Sequence, residues 1–519
     1  MFSPKFLMLR PPPHFFKAEG RCTEAGGREM AADKFKQKSD SSKVVNTENA
    51  PSNVCDGLWK RPIRGVQQPT SPSSNVHYSS TRLSGVANIG IEMEMFAYDA
   101  NTLIPLGLPG SVFHPSELLK RMSDAIDGAK LKVDPATGVV VGLSMPSGAN
   151  FSLEPGGQVE FSSAPRADTF GLVDDVVFGL EALRNAAGDA VVFLSHGTNP
   201  VAPREMPLLV PKERYQILRR YFQSEPGGRG VDMMGHTGTV QPNIDVPGDD
   251  SDWEDAVRLS FALTPAVQAL TRNSFFFAGE PSRFKSERQQ IWKQTDTTRS
   301  GIPEGIVQAR DVACHYASWA RKADVFLVRG LPVSEQPLHG ELTFEQFLHT
   351  GYKERKATLQ DWELHLATLF PEIRLRGFLE IRNLDAQPFE HLLAGVMLWK
   401  GILVDPNARA EAWSLLSRSA LASGENQSAA EQALGRELLV LATESLRRMG
   451  DSLGVAALEA AAVSWLLTSK EDVYPTDAHE FVRRYSVSDP GEAFVRSLEK
   501  AGISVKKARG KAGFNGKKI

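Results

Sequence analysis

The chain has 519 residues, 41% of them hydrophobic and 23% charged, enough to bury a large core in one big catalytic domain or several smaller ones. Lys and Arg number 59 against 62 Asp and Glu, a formal net charge of −3, so no overall basic field makes nucleic acid a default partner, and none is expected. Three cysteines, Cys22, Cys55 and Cys314, are too few for a disulfide framework and show no C-x-x-C metal spacing.

Residues 1–84 are rich in Ser, Asn, Lys and Pro without a sustained apolar period, which predicts a disordered extension. Lys5, Arg10 and Lys17 precede the first acid, Glu19, as in an import signal. Pro11-Pro12-Pro13 interrupts the only apolar part, however, so a cytoplasmic location is expected, with organelle import the minority alternative. No stretch approaches the roughly 18 apolar residues of a membrane span, and no membrane association is expected. Bridging Cys55 to Cys314 would mean ordering a long polar segment, so Cys314 is expected to stand unpaired.

From Val86 to about residue 500 hydrophobic periodicity is continuous, which reads as a single catalytic domain over 85–500. Helical periods fall at about 115–127, 170–187, 254–271, 340–350, 389–403, 428–449 and 455–468, separated by strand-like runs with Gly and Pro punctuation. The irregular mixture predicts an α+β fold, a mostly antiparallel sheet with helices packed around it and a helical C-terminal third. Residues 501–519, with six Lys or Arg and no acid, read as a flexible basic tail. No G-x-x-x-x-G-K-[ST] loop and no H-E-x-x-H helix occurs.

Four runs carry the chemistry. In Ile89–Met95, Glu92 and Glu94 share one strand face while Ile91, Met93 and Met95 enter the core; two neighbouring carboxylates repel, and a hard cation would relieve them, although a wet acidic strand face has the same pattern. In Phe151–Ser162, Gln158, Glu160 and Ser162 share a face, and Pro155-Gly156-Gly157 breaks the strand and sets Glu154 apart from Glu160. Thr237–Asp245 presents Thr, Thr, Gln241, Asn243 and Asp at alternate positions, suited to phosphate and amide recognition, or to a solvent-facing edge strand, which Pro242 makes credible. In Phe378–Asp385, Glu380 and Arg382 share a face: a metal carboxylate beside a guanidinium for a transferring phosphoryl group, or an intrastrand ion pair. Together they describe a sheet face for phosphoryl transfer from metal-bound ATP.

Those runs, with Pro211-Lys212-Glu213-Arg214-Tyr215, Ser286-Glu287-Arg288-Gln289-Gln290-Ile291-Trp292, Thr295–Gly301 and Pro371–Arg374, resemble the plant and proteobacterial glutamate–cysteine ligases over nearly all of residues 86–470. Ser152-Leu153-Glu154-Pro155-Gly156-Gly157-Gln158-Val159-Glu160 is the most specific element. The resemblance implies a glutamine-synthetase-like fold and an ATP-dependent ligase that joins the γ-carboxyl of glutamate to the amine of cysteine through a γ-glutamyl phosphate, the first step of glutathione synthesis. It also implies Mg²⁺ (or Mn²⁺) on Glu92, Glu94, Glu154, Glu160 and Glu380, with Gln241 and Asn243 beside the nucleotide phosphates. Arg382 would face the transferring phosphoryl group, and Arg288 would take the α-carboxylate of glutamate. Trp292, one turn later, lines the same pocket or packs in the core. Another amine acceptor and an inactive binding homologue are the alternatives, and the expected assembly is a monomer or homodimer. Met93, Met95 and Gly235-His236 depart from the usual plant residues.

Overall fold

The computed structural model describes residues 87–420, 427–466 and 474–503, all within the compact unit Asn53–Ile519. The expected extension over 1–84 and the basic residues of the tail lie outside the described residues.

A ten-stranded sheet organises the chain. Its strands are β1 (Ile89–Asp99), β2 (Lys130–Val133), β3 (Val140–Ser144), β4 (Asn150–Leu153), β5 (Val159–Ser162), β6 (Val191–Leu194), β7 (Thr239–Ile244), β8 (Ile373–Leu375), β9 (Leu379–Ile381) and β10 (Leu384–Asp385). The order is β8-β9-β7-β1-β5-β4-β3-β2, with β10 also on β7 and β6 also on β1. Every pairing within this sheet is antiparallel, as expected; the one parallel pair among the described strands is the small Ser300–Gly301 with Phe370–Pro371.

The period-2 pattern of β1 decides which way the sheet faces. Ile89, Ile91, Met93 and Met95 are at most 1% exposed, whereas Glu92 and Glu94 on the opposite face stay partly open. Beneath the apolar face lies the helix Leu392–Leu403, buried at every position except Lys400, whose ammonium meets Asp451 at 2.7 Å. Gly395 lets this helix approach closely, since a Cβ there would stand 2.7 Å from Leu384 Cδ2. Against it pack Gln427–Arg448 and Ser452–Leu466, with Asp250–Leu270 on the outer side of Gln427–Arg448, so the C-terminal third is helical as the periodicity predicts.

One alternative is excluded and two expectations need correction. The Thr237–Asp245 run is no edge strand: β7 is buried throughout and lies between β1 and β9. Pro242 is tolerated there because the neighbouring strand is interrupted beside it. The run 378–385, expected as one strand, splits into β9, paired at Leu379↔Ile244 and Glu380↔Asn243, and β10, paired at Leu384↔Val240 and Asp385↔Thr239. A proline offers no N–H to continue the ladder, and the Arg382 amide turns away to donate to the Glu372 carbonyl at 2.9 Å. Finally, Cys314 is disulfide-bonded, with its partner outside the described residues. The cost of closing so long a loop grows only logarithmically with length and does not forbid the bond.

The turn between β4 and β5 is fixed by backbone contact. Gly157 has φ +83°, and a Cβ on Gly156 would stand 2.5 Å from the Gly235 carbonyl oxygen and 2.9 Å from its Cα. Gly156→Ala is therefore expected to push the Glu154 turn off the approach to β7, destabilising the protein by about 1–3 kcal/mol. Gly171→Ala, whose Cβ would meet its nearest neighbour at 3.4 Å, should be nearly neutral. Thermal unfolding of the two variants checks this; equal melting temperatures would refute the close-approach account.

Candidate active site

Residues directly opposite in an antiparallel pair share a face, so the registers alone assemble the site. Glu92 pairs with Gln241 on β7 and with Ser162 on β5, and Glu94 pairs with Glu160. Asn243 pairs with Glu380 across β9, and Glu380 pairs with Arg374 across β8. One face thus carries Arg374, Glu380, Asn243, Gln241, Glu92, Glu94 and Glu160 in adjoining rows. Glu154 sits at the turn that joins β4 to β5, accepting from the Tyr215 hydroxyl at 3.2 Å through both oxygens.

The acids fall into two electrostatic groups. Glu380 is 1% exposed and ringed by arginines: Arg374 Nη1 at 2.6 Å, Arg382 Nη1 at 2.7 Å and Arg376 Nη1 at 3.3 Å. Burial alone would raise its carboxyl, but Arg374, Arg382 and Arg376 outweigh that and hold it at about 2. Glu92, Glu94 and Glu160 behave oppositely. Burial followed by repulsion from Glu154 pushes Glu94 up to about 8. Burial and Glu380 raise Glu92, against the hydrogen bond of 3.0 Å that Asn243 Nδ2 donates to it. Glu160 is driven well up by burial and then by Glu154, Glu92 and Glu94, against hydrogen bonds donated to its Oε1 by the hydroxyls of Ser152 at 2.8 Å and Ser162 at 3.5 Å.

These three carboxyls fit a hard divalent cation. They are half-buried, mutually repelling oxygen donors, and the Asn243 Oδ1 beside Glu92 is buried with no hydrogen-bond partner among the described residues. As they stand, no three His, Cys, Asp or Glu side chains among the described residues are already gathered to hold a metal.

At the arginine end, Arg382 Nη1 also donates to Gln241 Oε1 at 2.6 Å, tying the expected phosphate residues together. Beyond it is a pocket lined by Arg288, Trp292, Phe370, Glu372, Gln268 and Arg382. The helix Glu287–Lys293 starts at the Ser286 cap, which accepts from the Gln289 amide at 3.2 Å, and its geometry sets Arg288 and Trp292 one turn apart. Arg288 is 3% exposed; its Nη2 donates to the Arg382 carbonyl at 2.9 Å, while its Nε has no partner among the described residues. Trp292 lines the pocket, its ring 5.6 Å from that of Phe370 and under the guanidinium groups of Arg288 and Arg382 at 5.8 and 6.0 Å.

All ten expected residues are therefore brought to one region. Sequence reasoning gave no role to Arg374 and Arg376, which flank the β8–β9 turn, to Glu372 and Gln268, or to Lys212 and Tyr215 at the opposite end. Lys212 donates to the Leu153 carbonyl at 2.9 Å and to Tyr215 at 3.2 Å, and burial lowers its ammonium to about 8 against the pull of Glu154. The available signal was the alternation Ile373-Arg374-Leu375 and Leu379-Glu380-Ile381 about Gly377, a hairpin that puts Arg374 opposite Glu380.

The model of glutamate-cysteine ligase family 2 (GCS2) matches residues 88–467. The chain is 33% identical over 324 residues to the chloroplastic glutamate–cysteine ligase of Brassica juncea, covering 61% of this chain and 60% of that protein. It is 33% identical over 327 residues to the Arabidopsis thaliana enzyme of the same name, covering 62% and 60%. To the chloroplastic glutamate–cysteine ligase A of Oryza sativa subsp. japonica it is 32% identical over 357 residues, 66% of this chain and 69% of the relative. The match thus spans about 60% of the length of the first two relatives.

The raised carboxyls set a pH dependence. A carboxyl moved from 4.5 to about 8 keeps its proton in the folded state where the unfolded chain has lost it, so stability must fall as pH rises through that window. In the presence of a chelator, the melting temperature is expected to decline between about pH 5 and 8, and Glu94→Gln should flatten the decline. Mg²⁺ should stabilise more at the alkaline end, where it no longer displaces protons. A melting temperature that is flat or rising across this range would contradict the account.

Proposed function

This chain belongs to glutamate-cysteine ligase family 2, and from that premise we propose that it joins the γ-carboxyl of L-glutamate to the amino group of L-cysteine at the expense of ATP, the first step of glutathione synthesis. The observation that carries the reading is the abutment, on one sheet face, of charge-starved carboxyls (Glu92, Glu94, Glu160) and a guanidinium group anchored on Glu380 and Gln241. A free carboxylate is a poor electrophile. Conversion to an acyl phosphate gives the cysteine amine a carbonyl to attack and phosphate as the leaving group.

In this reading Glu92, Glu94, Glu154 and Glu160 hold Mg²⁺, which when bound neutralises the triphosphate. Arg382 stabilises charge on the phosphoryl group in transit, and Gln241 fixes its orientation. Glu380 would join the cation set only by giving up arginine partners, since Arg374 and Arg382 share its Oε1 and Arg376 meets its Oε2. Arg288 binds the α-carboxylate with its spare donors, and Trp292 walls the pocket. Among the described residues no helix is long and apolar enough to cross a membrane. We keep a cytoplasmic location on composition, and imaging of a C-terminal fluorescent fusion of the full chain tests it.

Mass-spectrometric identification of the product from glutamate, ATP, Mg²⁺ and a panel of amino acids tests the reaction: γ-glutamylcysteine with ADP and phosphate is expected, and a different preferred acceptor would replace cysteine in it. Glu92→Gln should remove most activity while leaving the melting temperature of the metal-free protein intact or raised, because it deletes a repelling charge at nearly constant volume. Arg382→Lys should lower kcat more than it raises the KM for ATP. Wild-type turnover in Glu92→Gln, or an unchanged kcat in Arg382→Lys, would remove that residue from its role.

A further inference from the structure

The pocket beside Arg382 holds one acid whose role is unassigned. Glu372 follows the Phe370–Pro371 strand, and its backbone is fixed on both sides: its amide donates to the Gly301 carbonyl at 2.9 Å, and its carbonyl accepts from the Arg382 amide at 2.9 Å. Its side chain lines the same pocket as Arg288 and Trp292, on the far side of the sheet break from the Glu92–Glu94–Glu160 group, and accepts a hydrogen bond from Gln268 of the helix Asp250–Leu270. Burial raises its carboxyl, with Arg288, Gln268 and Arg382 acting against that rise.

An L-α-amino acid head is a zwitterion, and a pocket that selects it needs an anion and a cation set a few ångströms apart. Arg288 supplies the cation, fixed by its bond to the Arg382 carbonyl and retaining an Nε with no partner among the described residues. Arg382 is committed to Glu380 and Gln241. Glu380 is committed to three arginines, and Asp385 accepts from Asn273, Ser274 and Ser286. Among the described residues Glu372 is the acid that lines the pocket itself, and a carboxylate that accepts from the Gln268 amide retains lone pairs for a further donor. We propose that Glu372 binds the α-ammonium group of the glutamate substrate, with Gln268 orienting it, so that Glu372 and Arg288 together select an α-amino acid head over a simple dicarboxylate. This deepens the reading of the chain as a glutamate-activating ligase and rests on it.

The test uses the full-length protein and three probes: L-glutamate, glutarate (the same chain without the ammonium) and 4-aminobutanoate (the same chain without the α-carboxylate). Glu372→Gln should lower kcat/KM for L-glutamate by about tenfold or more, as expected for loss of a charged hydrogen bond. It should leave the weak use of glutarate within about twofold, so the glutamate-to-glutarate preference collapses while the glutamate-to-4-aminobutanoate preference is kept. Gln268→Met, a near-isosteric change, should cause a smaller loss of the same kind and serves if Glu372→Gln fails to fold. Calorimetric binding of L-glutamate and glutarate to each protein reads the same discrimination without turnover. Equal losses on L-glutamate and glutarate, in rate and in binding, would make Glu372 a general structural or catalytic residue and overturn the proposal. Wild-type protein that neither binds nor turns over L-glutamate would overturn the ligase reading itself, a result visible before any variant is made.

Discussion

Collecting carboxylates on one buried sheet face costs electrostatic free energy, and the distribution of arginines decides where that cost is met and where it is left standing. Glu380 receives three guanidinium groups; Glu92, Glu94 and Glu160 receive an amide and hydroxyls. The face therefore has one end that is electrostatically closed and another that still calls for positive charge. An anionic triphosphate and its cations make the complementary pair, since the phosphates suit the arginines while the cations suit the raised carboxyls. Register protects this division. A slip of one residue in β1 would bury Glu92 and Glu94 against the helix Leu392–Leu403 and expose Ile91 and Met93, an exchange the apolar layer forbids.

The interruption of the sheet at 382–383 connects that face to the neighbouring pocket. Because Pro242 lacks an N–H, β7 cannot hold a continuous partner strand there, and the chain bulges between Ile381 and Leu384. Each backbone group of Arg382 is then free for another element: its amide goes to Glu372 and its carbonyl to Arg288. One missing hydrogen-bond donor thus positions a guanidinium over the carboxylates and secures two residues of the adjacent pocket. Bulges beside active sites commonly re-aim a side chain; here the bulge also supplies the ties between neighbouring parts of the site.

The parts of this arrangement legible in the sequence are those encoded by local period. Alternation places Glu92 with Glu94 and Glu380 with Arg382, and the 3.6-residue period finds the helices beneath the sheet. The Pro155-Gly156-Gly157 turn also announces itself. Edge or centre is not a local property: the polar alternation of Thr237–Asp245 is the same whether the face meets water or a closed cleft, and Pro242 argues for an edge unless the break in its partner is known. Nor does any local signal join Gln268, inside a helix, to Glu372, more than a hundred residues later, because that pairing follows from how the helix Asp250–Leu270 packs near β8. Cys314 illustrates the same limit, since nothing in its local sequence announces that it is disulfide-bonded.

Support for Arg288 comes from one further buried acid. Asp385, fully enclosed at the end of β10, accepts from the Asn273 amide and the Ser274 hydroxyl at 2.8 Å and from the Ser286 hydroxyl at 3.1 Å, and stands 3.8 Å from Arg288 Nη1. Ser286 is the cap of the helix that carries Arg288, and Ser274 accepts from the Arg288 amide at 3.2 Å. A carboxylate stripped of water is stabilised only where donors converge on it, so the loop 273–274, the helix cap and the strand end must hold their positions together. The guanidinium that faces the pocket therefore inherits its position from the last residue of the Phe378–Asp385 run, whose Glu380 organises the opposite end of the site. In the proposed function the run's break at Arg382 divides two duties: residues before it would meet phosphoryl charge, and residues after it would seat the substrate head.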